Sequence, residues 1–148
     1  MYIKCLVENT NGGLTPKHGL SFYVETKNHK ILFDLGPDDL FYKNAIISNI
    51  DISKVDTVII SHGHDDHGGG LKTFLEHNHI ATIYLQKTAF EKHYSNENDI
   101  SLDFNLMNNP QIKLVDKDYI IDSELSLVVS KYKKLLSPMN SNLLNKDK

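Results

Sequence analysis

The chain has 148 residues, 16 Lys and Arg against 19 Asp and Glu for a formal charge of −3, and 40% hydrophobic residues. One domain with a sizeable core is the expected size, and the disordered and fibrous classes are excluded. The acidic balance gives nucleic acid no basic stripe to bind. The longest apolar runs, such as Val58-Ile59-Ile60 and Leu127-Val128-Val129, are too short to span a bilayer, and Met1-Tyr2-Ile3-Lys4 begins no signal peptide, so neither nucleic acid nor membrane is an expected partner and the cytoplasm is the expected compartment.

Strand character marks Tyr2 to Val7, Leu20 to Glu25 and Lys30 to Asp34, with turns at Asn11-Gly12-Gly13 and Lys27-Asn28, which predicts an antiparallel opening. Cys5 lies in the first of these strands as a buried, inert thiol. After Gly36-Pro37 the spacing of Leu40, Phe41, Ala45 and Ile46 predicts a helix over 38–49. Val55 to Ser61 reads as a strand buried on both faces. Gly68 to His77 predicts a second helix, Ala81 to Gln86 a strand and Lys87 to Tyr94 a third helix. The asparagine-rich stretch from Ser95 to Pro110 reads as an irregular excursion. Ile112 to Val115, Tyr119 to Ile121 and Leu125 to Val129 predict a closing meander, and the polar segment 137–148 a fraying tail after a domain over 1–136.

Chemistry concentrates in Ser61-His62-Gly63-His64-Asp65-Asp66-His67-Gly68-Gly69-Gly70, where the buried strand gives way to a glycine-rich turn and a helix. Imidazole and carboxylate are the usual ligands of zinc and of iron. His62 and His64 flank a residue without a side chain and can converge on one ion; Asp66 and His67 can turn toward a second. Helix capping by Asp65 or Asp66 accounts for an aspartate but not for three histidines. The remaining histidines read more plainly: His77 and His79 as surface residues, His93 as a helix residue outside the ligand set, His29 as solvated and His18 as a neighbour of the pocket.

The pattern His-x-His-x-Asp-His after an apolar strand, continued by Gly68-Gly69-Gly70-Leu71, resembles the metallo-β-lactamase superfamily. Ile31-Leu32-Phe33-Asp34-Leu35-Gly36 also resembles it. Within that superfamily the chain is most similar to the dihydropterin ribofuranosylaminobenzene phosphate synthase-like subgroup, through Glu8-Asn9-Thr10, Gly19-Leu20-Ser21 and the stretch from His62 to Leu71; Asp65 departs from the neutral residue common at its position. The resemblance implies an α/β fold, the N-terminal half of an αββα sandwich with a mixed sheet and helices on one face. It implies metal ligands His62, His64, Asp66 and His67, with Asp66 also catalytic and Asp34 supporting the ligands from behind. The cofactor is then one or two zinc ions, with iron or manganese as alternatives.

On this resemblance the reaction is a hydrolysis of a small molecule, with metal-bound hydroxide attacking an ester, lactone, amide or phosphate. The alternative is a non-catalytic remnant or metal-binding module, because the later ligands of the superfamily have no counterpart here and the chain reads as a shortened member. Half a sandwich leaves one apolar sheet face to cover, which predicts a homo-oligomer or a partner chain on that face.

Overall fold

The computed structural model describes residues 1–10, 12–129 and 143–145. Six strands form one mixed sheet in the order β1-β2-β3-β4-β5-β8: β1 (Tyr2–Val7), β2 (Ser21–Glu25), β3 (Lys30–Phe33), β4 (Thr57–Ile60), β5 (Thr82–Gln86) and β8 (Ile112–Val115). β1, β2 and β3 pair antiparallel, as the turn at Lys27-Asn28 requires, and β3, β4, β5 and β8 pair parallel. The parallel strands need crossovers. Helices α1 (Leu40–Ile47) and α3 (Leu71–His77) supply the first two.

Sheet register sorts the side chains by face. Leu32, Val58 and Ile83 stand in one row, fully buried with Phe41 of α1 and Phe74 of α3 in the core. The next row, Phe22, Phe33, Ile59 and Tyr84, stands on the opposite face, where Phe33 remains 36% exposed. Ile3, which pairs with Val24 on that face, is 54% exposed. A short antiparallel pair, β9 (Tyr119–Ile120) with β10 (Ser126–Leu127), has no strand partner in the main sheet.

Several expectations need correction. The helix expected over 68–77 is two pieces, α2 (Asp65–Gly68) and α3, because the chain makes its first helical turn directly after His64. Gly69 and Gly70 then pass so close to the 35–38 turn that a Cβ on Gly69 would lie 2.2 Å from the Pro37 carbonyl oxygen. No helix forms over 87–94. Two turn bonds, Ala89 N–H to Gln86 and Glu91 N–H to Thr88, turn the chain into strand β6 (His93–Ser95), which pairs with β7 (Asn98–Asp99). Asn96, at φ +54°, closes that hairpin in a conformation asparagine tolerates.

The stretch 95–110 is therefore ordered in part, with β7 followed by a 3₁₀ turn at Phe104–Leu106. The closing meander is not continuous, since β8 joins the main sheet and β9 with β10 does not. The expected tail falls outside the described residues apart from β11 (Leu143–Asn145), which pairs with β6. Cys5 is half-buried rather than buried; its thiol donates to the Val7 carbonyl at 3.5 Å, and burial pushes its pKa up. No helix among the described residues is long and apolar enough to cross a membrane.

Candidate metal centre

The histidine-rich loop leaves the carboxyl end of β4, beside the carboxyl end of β3, the edge at which open parallel sheets place their ligands. Backbone bonds stitch it down. Leu35 N–H donates to the His67 carbonyl at 2.7 Å, Gly70 N–H to Gly36 at 3.1 Å and Leu20 N–H to Asp66 at 3.2 Å. On the other side Asp65 N–H donates to the Ile100 carbonyl at 2.8 Å, and His64 forms an isolated antiparallel bridge with Ser101.

Asp34 organises the ligand side chains from beneath. It is fully buried and sits at φ +58°, which turns its carboxylate back over β4. The Ser61 N–H and hydroxyl donate to its two oxygens at 2.7 and 2.9 Å, and His67 Nδ1 donates to Oδ2 at 2.7 Å. Since the Ser61 hydroxyl proton goes to Asp34, His62 Nδ1 donates to the Ser61 oxygen at 2.9 Å. In the neutral rings, Nε2 of His62 and Nε2 of His67 are thereby left as the lone-pair nitrogens. Sequence reasoning included Ser61 in the motif but gave it no role; its position between an aspartate and two histidines needed the β3–β4 register to become visible.

Three of the four expected ligands, His62, Asp66 and His67, form one cluster, and His64 stands beside His62. His62 Nε2 and His64 Nδ1 are 3.1 Å apart, and Asp66 Oδ2 is 3.6 Å from His67 Nε2. His62, Asp66 and His67 each offer a ligand atom within 4.8 Å of one another. Two zinc–nitrogen bonds of about 2.0–2.1 Å at a tetrahedral angle hold their donors about 3.4 Å apart, so the His62–His64 pair has the spacing of a shared ion. Burial, reinforced by the neighbouring His67 and His64, lowers the His62 pKa to about 4, which keeps that ring neutral. Burial and the adjacent His93 likewise lower His64. For His67 burial acts downward too, but the hydrogen bond and charge of Asp34 with the charge of Asp66 raise it. This donor set fits a divalent cation.

His18 does border the site, with Nε2 3.2 Å from Asp66 Oδ2 and a side chain 79% exposed. His29 is not solvated: Asp56 and Asp122 bind its two ring nitrogens at 2.8 and 2.7 Å. His77 and His79 are exposed, the former stacked on Tyr42. A groove of about 490 Å³ begins at Ser61 and runs along Phe33, Ile59 and Tyr84 to β10.

A family model described as the Metallo-beta-lactamase superfamily matches residues 14–129. The chain belongs to this superfamily. It is 30% identical over 136 residues to an uncharacterized protein of Methanocaldococcus jannaschii, covering 88% of this chain and 52% of that one. It is 31% identical over 110 residues to the 7,8-dihydropterin-6-methyl-4-(β-D-ribofuranosyl)-aminobenzene-5'-phosphate synthase of the same organism, covering 68% of this chain and 37% of that one. Among solved structures, a metal-dependent hydrolase of the beta-lactamase superfamily superimposes with a TM-score of 0.70 at 33% identity, over 85% of this chain and 46% of that one. The chain thus spans about half the length of these relatives, or less. Its mixed sheet with helices on one face is the corresponding half of the superfamily fold.

Proposed function

We propose that this chain is the metal-binding half of a metal-dependent hydrolase, in which His62, His64, Asp66 and His67 hold one or two divalent cations. Zinc is the first choice for this nitrogen and carboxylate set, with iron and manganese as the alternatives that metal analysis would identify. The observation that carries the reading is the cluster of His62, Asp66 and His67 at the sheet edge, with His64 beside His62 and the outer nitrogens of His62 and His67 already anchored. The similarity to a solved metal-dependent hydrolase supports hydrolysis as the reaction class.

A bound cation supplies a water acidified toward neutral pH. The protein's own residues do the rest. Asp34 and Ser61 fix the rings of His62 and His67 so that the same nitrogens always face the centre. Asp66, at the mouth between His67 and His18, is the carboxylate placed to orient a nucleophile or take up a proton. The groove from Ser61 over Phe33 and Ile59 offers apolar walls to the body of an ester, lactone, amide or phosphate substrate.

A second reading, a metal-binding module without turnover, rests on the same cluster of His62, Asp66 and His67. One measurement separates the two. The hydrolase reading expects one or two metal ions per chain after dialysis and hydrolysis of generic ester or phosphodiester substrates that His62→Ala and Asp66→Asn abolish. Bound metal without turnover supports the module. No retained metal, or turnover unchanged in both variants, refutes the metal centre as the source of function.

A further inference from the structure

Two of the three clustered histidines have their outer nitrogen engaged, His62 by Ser61 and His67 by Asp34. His64 faces His62 with Nδ1. Its other ring contact is His93, edge to face, with centroids 5.1 Å apart and planes at 72°. The Nε2 atom of His93 is buried and has no hydrogen-bond partner among the described residues. An unpaired buried nitrogen is costly and calls for an explanation.

The segment that carries His93 is pinned to the ligand loop. His93 N–H donates to the Ser101 hydroxyl oxygen at 2.9 Å, and Ser101 bridges the His64 backbone. A Cβ on Gly63 would stand 2.0 Å from the Ala89 carbonyl oxygen and 2.8 Å from His93 Nε2, so glycine permits this approach. The imidazole is thus held against the one histidine of the cluster that lacks an anchor like those of its neighbours.

Tautomers give the pairing a purpose. Without a cation, His62 Nε2 is an acceptor, so His64 Nδ1 carries the proton between them at 3.1 Å. A cation shared by these two nitrogens needs both lone pairs, and the His64 proton then belongs on Nε2, where it requires an acceptor. A hydrogen bond of about 2.9 Å between two imidazoles sets their centroids about 5 Å apart, so the present separation needs ring rotation but no displacement.

We propose that His93 is a positioning residue for the metal centre, its unpartnered Nε2 accepting the Nε2 proton of His64 when His64 ligates through Nδ1. This rests on the metal-binding reading above. The test measures zinc affinity of the full chain by competition with a chromophoric chelator, together with the visible spectrum of the cobalt(II) form. H93F keeps a ring against His64 but offers no acceptor, and is expected to weaken zinc binding roughly 10- to 100-fold with folding intact. H93Q restores an acceptor oxygen and is expected to recover most of that loss and the cobalt spectrum; H93L reports the same loss where the larger ring does not fit. Equal zinc affinity in H93F, H93L and the unsubstituted chain, or equal losses in H93F and H93Q, overturns the role of His93. Loss of binding in H64A beside unchanged binding in H93F leaves the metal centre standing without it, whereas no zinc binding by the unsubstituted chain overturns both.

Discussion

Asp34→Asn isolates the support beneath the ligands. Asparagine keeps the size of the side chain, tolerates the φ of +58° and still presents one oxygen to the Ser61 N–H at 2.7 Å. What changes is the second position. An amide NH₂ replaces the oxygen that accepts from His67 Nδ1 at 2.7 Å and from the Ser61 hydroxyl at 2.9 Å, setting donor against donor at a fully buried site. One charge-assisted hydrogen bond, worth about 1.5–3 kcal/mol, disappears, and an orphaned donor adds about 1 kcal/mol, giving an expected loss of roughly 2–4 kcal/mol in urea unfolding followed by circular dichroism. His67 relieves the conflict by moving its proton to Nε2, the nitrogen that faces Asp66. Zinc affinity is therefore expected to fall about 10- to 100-fold in chelator competition. A variant with an unchanged urea midpoint and zinc affinity within twofold of the original would refute the claim that Asp34 sets the His67 tautomer.

Phe74→Ala removes a fully buried ring between α3 and the sheet and is expected to cost about 3–5 kcal/mol in urea unfolding; a loss under 1 kcal/mol would mean that α3 is not seated on the core as described. His29, raised in pKa chiefly by its bond to Asp56 against the opposing effect of burial, adds stability that is complete below its unfolded pKa of about 6.5 and fades as pH rises through its higher folded value. The stability difference between the unsubstituted chain and His29→Gln should accordingly shrink from pH 6 to pH 8, and a constant difference would show that the Asp56–His29–Asp122 contact is not ionic. The sheet face that exposes Ile3 and Phe33 is proposed to be covered by a second copy or a partner, and light scattering is expected to find an assembly; a stable, well-folded monomer would count against it.

The parts of the fold legible in sequence are those where a local pattern and a tertiary need coincide. Val58-Ile59-Ile60 reads as a strand because β3 and β5 flank it, but only Val58 and Ile60 are fully packed on the helix-covered face, while Ile59 is half-buried and lines the groove on the other. Leu71, Phe74 and Leu75 read as helix because that spacing points them at one core. The stretch 87–94 misleads for the opposite reason: Ala89 and Phe90 are buried by their position over the ligand loop, and the pairing of Tyr94 with Asp99 outweighs helical propensity. His29 misleads similarly, since the carboxylates that bind it lie 27 and 93 residues away in the chain.

The site divides along the same line. His62, His64, Asp66 and His67, the proposed ligands, are legible as a cluster because they occupy one loop, and Asp34 because it ends a neighbouring strand in a familiar pattern. Ser61 and His93 are not, since their roles depend on what another element brings alongside: the β3–β4 register for Ser61 and the 89–101 segment for His93. Ligand density in a sequence thus reveals where a metal can sit, while the groups that decide which nitrogen each histidine presents come from across the fold. Removing a ligand and removing its anchor should then differ in kind: the first deletes a bond to the ion, the second leaves every donor in place and changes only where its proton resides.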